Sequence, residues 1–164
     1  MIGLLAILVG AGVAANYLIP RGRKLIKLNE AGKKLEVVNS LMLHKIDFKG
    51  ITIRVDVNLK NPSEEPVTIK FPFVKLQYKG ATIGTSQVVD RSIPIPKWGE
   101  AVAEGIMIKI PYKGVFSLGG GLVEAIESGE AVKITTVAQT SIDMGKDQKP
   151  FPYEITEEVT LKSA

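Results

Sequence analysis

From Ile51 to Leu59 the chain alternates without a fault: Ile51, Ile53, Val55, Val57 and Leu59 are apolar, and Thr52, Arg54, Asp56 and Asn58 between them are polar. Successive side chains of a strand point to opposite faces, so a period of two dictates a strand with one buried and one wetted face. The strand stops at Asn61-Pro62, where proline has no N–H to give a ladder and Asn-Pro favours a turn. Further segments repeat the pattern. Thr68 to Tyr78 reads as one strand with a bulge where the apolar phase slips between Phe73 and Val74. Lys79-Gly80 is a hairpin turn, and Ala81 to Val89 the returning strand. Ile93 to Gly99 reads as a proline-broken loop. Ala101 to Ile110 is a strand with Val102, Ile106, Ile108 and Ile110 on its apolar face. Leu122 to Glu127 has helical spacing, and Gly119-Gly120-Gly121 before it disfavours a longer helix. Ala131 to Ile142 and Tyr153 to Leu161 close the set, with Glu157 out of place on the apolar face of the last strand. These segments predict an all-β fold: an antiparallel, immunoglobulin- or fibronectin-III-like sandwich of about seven strands with one short helix.

The other constraint lies at the amino terminus. Ile2 to Ile19 is eighteen residues without a charge, closed by Pro20. As a helix it would be about 27 Å long, close to the hydrocarbon thickness of a bilayer. No basic residue precedes it, unlike a secretory leader. Ala6, Gly10 and Ala14 recur every four positions and would give a smooth face for helix packing, and so for an oligomer, within a membrane. The expectation is a transmembrane helix or membrane anchor ahead of the sandwich, with Asn16 and Tyr17 near one interface.

Charge is distributed to match. Of 21 basic and 17 acidic residues, the stretch from Arg21 to Lys49 holds eight basic against three acidic. The remainder is nearly balanced. Arg21, Arg23, Lys24 and Lys27 follow the apolar run directly and are expected at phospholipid headgroups, each contributing about 1 kcal/mol against an anionic surface. The positive-inside rule then puts the carboxyl-terminal domain on the basic, cytoplasmic-type side of a single-pass anchor. The collar has no interleaved aromatics and no nucleic-acid motif, so lipid rather than nucleic acid is the expected partner.

The stretch from Ile51 to Tyr112 resembles the group-2 late-embryogenesis-abundant (LEA) proteins, also called the water-stress-and-hypersensitive-response domain. The residues that carry the resemblance are the alternating strand ending in Asn61-Pro62, Leu76 and Tyr78 in the next strand, Gly80 with Gly84-Thr85, and Ile106 to Tyr112. The resemblance implies a fibronectin-type sandwich with one helix, a non-enzymatic role in stress protection, and an amino-terminal membrane segment. It brings no catalytic residues.

The residues themselves offer little chemistry. Cysteine is absent and His44 is the single histidine, which excludes disulfides, thiolate metal sites and paired-histidine catalysis. Gly119-Gly120-Gly121 lacks the Lys-Ser/Thr of a phosphate loop. The pairs Glu64-Glu65 and Glu157-Glu158 are strand or turn neighbours and do not converge. Asp143, Asp147 and Gln148 lack calcium-loop spacing, and no serine sits in a nucleophile elbow. No catalytic residue, cofactor or metal is expected. Trp98, beside Lys97, is expected to cap one end of the sandwich, or to touch a partner or a membrane interface.

The chain therefore divides into an anchor (1–20), a basic juxtamembrane linker (21–40) and a sandwich domain (41–164). The expected function is that of a non-enzymatic structural or interaction protein tethered to a bilayer, within a membrane-associated assembly such as an envelope or a membrane-containing virion. Its partners would be the bilayer and other proteins of that assembly. Two alternatives are a stress-protective LEA2-like protein and a module binding an apolar ligand or peptide.

Overall fold

Every apolar residue of the alternating segment is buried: Ile51, Ile53, Val55, Val57 and Leu59 are at most 2% exposed. Each such side chain contributes roughly 1.5–3 kcal/mol by leaving water. The structure is a computed structural model that describes residues 31, 32, 34–113 and 121–162. The apolar run, the residues Ala6, Gly10 and Ala14, and the collar Arg21, Arg23, Lys24 and Lys27 lie outside the described residues, as does most of the glycine run.

Among the described residues, nine strands and a short helix follow in order. They are β1 (Glu36–Ile46), β2 (Gly50–Lys60), β3 (Val67–Lys70), β4 (Phe73–Tyr78), β5 (Ala81–Thr85), β6 (Ser92–Ile95), β7 (Glu100–Pro111), α1 (Gly121–Glu127), β8 (Val132–Ile142) and β9 (Phe151–Lys162). The strands form one sheet in the order β5-β4-β8-β9-β1-β2-β7, with β3 joined to β6 and β8. The sheet curls so that β5 returns toward β7. A Cβ on Gly84 of β5 would lie 2.8 Å from Ile108 Cγ2 of β7, so glycine is what permits this approach.

The expected all-antiparallel sandwich is corrected here. β1 and β9 run parallel, paired at Leu41–Leu161 and Met42–Lys162. The sheet is therefore mixed, and this short joint links its two halves over a single core. Next to the joint, the carboxylate of Glu157 accepts hydrogen bonds from Asn39 N (3.2 Å) and Asn39 Nδ2 (3.0 Å). Asn39 Nδ2 also lies 3.1 Å from Thr136 Oγ1. Glu157 thus occupies the apolar side of β9 because it supplies backbone pairing that β9 itself does not give β1 there.

Three further expectations change. The segment 68–78 is two strands rather than one bulged strand. β3 buries Val67 and Ile69, β4 buries Val74 and Leu76, and Pro72 separates the two phases. Ile93 to Ile95 is not loop but part of β6, an edge strand on β3 with Ile93 and Ile95 buried. Pro94 is tolerated because β6 pairs on one side only. On β7, Val102 faces outward at 48% exposure while Ala103 is fully buried. The register runs from Val57–Ala103 to Val55–Ile106, one residue longer on β7. That bulge reverses the face of everything before it. Asp56 Oδ1 fixes it by accepting from Gly105 N at 2.7 Å.

Candidate functional site

β1 starts, β2 ends, β7 starts, β8 ends and β9 starts at one end of the sheet. The chain enters the fold at this same end. Ala31 and Leu35 are buried in the core, inside the stretch that reads from sequence as linker. Leu35 O accepts from Tyr153 Oη at 3.2 Å. Burial pushes the Tyr153 phenol up to about 12, because the core disfavours its anion.

Three loops share this end: residues 61–66, 96–99 and 143–150. Asn61 organises the first two with no exposed surface of its own. Its Nδ2 donates to Glu65 O (2.8 Å) and Pro96 O (3.3 Å). Its Oδ1 accepts from Ser63 N (3.2 Å) and Ser63 Oγ (2.6 Å). Its backbone N–H donates to Gly99 O at 2.9 Å, and Trp98 N donates to Ser63 O at 3.0 Å. A turn closes from Gly99 N to Pro96 O, also at 3.0 Å.

Trp98 rides on that turn. It does not cap the sandwich as one of its expected roles required: it is 69% exposed, with a left-handed φ of 54°. Its backbone is held by the turn, which displays the ring instead of burying it. Sequence reading marked Trp98 and missed Asn61, which looked only like a strand terminator.

The opposite end carries the β1–β2 hairpin. Phe48 at its tip is 86% exposed, with Lys49 Nζ 5.6 Å from the ring centroid. Lys45, Lys49, Lys109, His44 and Met107 help line a groove of about 600 Å³ there. Asp47 folds the turn. Its carboxylate accepts from Lys49 N (2.8 Å) and Gly50 N (3.2 Å) and pairs with Lys45. The Lys49 backbone donor, followed by the Lys45 side chain, holds the Asp47 carboxyl below its usual value. A Cβ on Gly50 would meet Ile110 O at 2.2 Å, so this hairpin closes against β7 only with glycine there.

Among the described residues, no group of three or more His, Asp or Glu side chains is placed to hold a metal. His44 is exposed on β1. Among the same residues, no helix is long and apolar enough to cross a membrane.

No family model and no curated protein matches the chain. Solved structures with a similar fold include a protein from Archaeoglobus fulgidus, 15% identical with a TM-score of 0.47, covering 78% of this chain and 98% of that one. The solution structure of AT1g01470 from Arabidopsis thaliana is 16% identical with a TM-score of 0.41, covering 76% and 78% of the two chains. The solution structure of At2g46140.1, a candidate late embryogenesis abundant protein, is 11% identical with a TM-score of 0.38, covering 84% and 83%.

Proposed function

We propose that this chain is a LEA2-like β module tethered to a bilayer, working by contact at the membrane surface and not by catalysis. The observation that carries the reading is the way the chain joins the fold. Ten residues separate Pro20 from Ala31, and Ala31 is already core. In sequence, an apolar run long enough to span a bilayer is thus followed by ten residues that hold the basic collar, and then directly by the folded domain. The carboxyl-terminal domain would stand on the collar side of that bilayer.

The role of the contact is stress protection of membranes or client proteins. Support comes from the sequence resemblance over Ile51 to Tyr112, whose Asn61-Pro62 element is the buried organiser of the near end. The test is drying. Vesicles carrying the full chain should retain an entrapped dye through dehydration, and a client enzyme dried beside them should keep activity. Leakage and activity loss equal to those of empty vesicles would overturn the protective role.

A second reading, a structural component of a membrane-associated assembly, is favoured by a different feature. The outer face of β1-β2-β7 exposes Val38, Met42, Val102 and Met107. Val38 and Val102 flank Asn58, and Met42 and Met107 flank Arg54, in two cross-strand rows. Such a face suits protein contact. Recovery of the chain in a particle of fixed composition after gentle membrane solubilisation would favour this reading over protection.

A further inference from the structure

We propose that Trp98 is a bilayer-contact residue: its indole sits at headgroup depth in the same membrane that holds the apolar run, and so docks the near end of the sandwich onto lipid. This rests on the tethering reading above and adds to it a face, an orientation and a lipid-touching side chain.

Position comes first. Trp98 lies at the end where the chain enters, on a turn tied through Asn61 and Ser63 to the loop beside it. The ten residues between Pro20 and Ala31 reach at most about 35 Å when extended and about 15 Å when helical. Such a short link holds this end at a high effective concentration beside the membrane. The far end, with Phe48, is a full strand length away.

Backbone conformation comes second. Trp98 holds a φ of 54°, in the left-handed region that disfavours residues with a Cβ and is the usual place for glycine in such a turn. A large aromatic ring is thus kept in an unfavourable backbone state and left 69% exposed. Strain of this kind at an exposed aromatic points to a role outside the fold.

Charge separates this contact from the collar. The three near-end loops carry Lys97, Lys146 and Lys149 against Glu64, Glu65, Asp143 and Asp147. They present no net positive field. Indole instead favours the interface for its amphipathic ring, whatever the headgroup charge. Docking by Trp98 is therefore insensitive to lipid charge and to salt, unlike attraction of the collar.

The chain has a single tryptophan, so its emission reports on this one site without a variant. The experiment reconstitutes the full chain into neutral and into anionic vesicles, scores incorporation by flotation, and compares plain lipids with lipids brominated near the top of the acyl chains. The expected result is a roughly twofold loss of emission with brominated lipid, in both vesicle types, and shielding from aqueous acrylamide. Incorporated chain whose emission ignores brominated lipid and stays open to acrylamide overturns the proposal and leaves tethering intact. Emission shielded from acrylamide yet indifferent to bromine assigns the ring to a protein partner or a second copy, and also overturns it. Chain that does not float with vesicles overturns tethering, and the docking falls with it.

Discussion

Asn61 makes four side-chain hydrogen bonds from a position with no exposed surface. Removing its amide would leave buried backbone groups of two loops without partners, at about 1–3 kcal/mol for the worst of them. Asn61→Ala should therefore destabilise the domain by about 3 kcal/mol in urea unfolding. It should also loosen the turn under Trp98, which steady-state anisotropy of the indole would show as a drop. None of this was legible in the sequence. Asn-Pro announced a turn, but one of the acceptors lies 35 residues on, at Pro96. Tyr153 belongs to the same scale. Its folded pKa of about 12 exceeds the ordinary 10.0, so the unfolded chain ionises first. Stability is then whole below about pH 10 and falls by about 3 kcal/mol as pH rises to about 12. Tyr153→Phe should remove that alkaline loss while lowering stability at neutral pH by about 1 kcal/mol, the hydrogen bond to Leu35 O.

Strands with unbroken alternation were readable because burial on one face leaves a period of two in the residues themselves. β2 is such a strand, β8 and β9 keep enough of the period to be read despite Thr136 and Glu157 on their inner faces, and the short helix came from its own spacing. β7 was readable in part: its bulge at Gly105 shifts the phase, and only pairing with β2 shows that Ala103, not Val102, faces the core. β3 and β4 look like one strand because the phase slip between Phe73 and Val74 reads as a bulge within one ladder, whereas Pro72 separates two ladders. β6 was lost to its prolines, which an edge strand accommodates. Two substitutions test the face assignment of β2. Val55→Asp should cost more than about 3 kcal/mol or prevent folding, since it buries an unpaired charge. Asp56→Val should cost only about 1–2 kcal/mol, the loss of the Gly105 N–H and Arg54 partners at the bulge. Equal costs in parallel denaturant titrations would contradict the register of β2 against β7.

At the scale of the whole molecule, sequence periodicity indicates strands but not which of them meet. The parallel joint of β1 with β9 unites residues 120 positions apart, such as Leu41 with Leu161, and no local pattern encodes it. The candidate site was legible in pieces. Trp98 and the collar stand out in composition, but that Trp98 lies at the end where the chain enters follows from topology alone. Ala31 and Leu35 pack in the core, so a chain lacking residues 1–20 should retain a cooperative β-rich unfolding transition by circular dichroism. The central claim is the tether, and flotation tests it most directly. The full chain, a chain lacking residues 1–20, and that shortened chain with Arg21, Arg23, Lys24 and Lys27 changed to Gln are mixed with neutral and anionic liposomes across a salt series. The account predicts that the full chain floats with both lipids at every salt concentration. The shortened chain should float only with anionic lipid at low salt, where each collar charge contributes about 1 kcal/mol, and the same four changes in the shortened chain should abolish its flotation. A full chain that stays at the bottom of the gradient with every lipid would contradict the account.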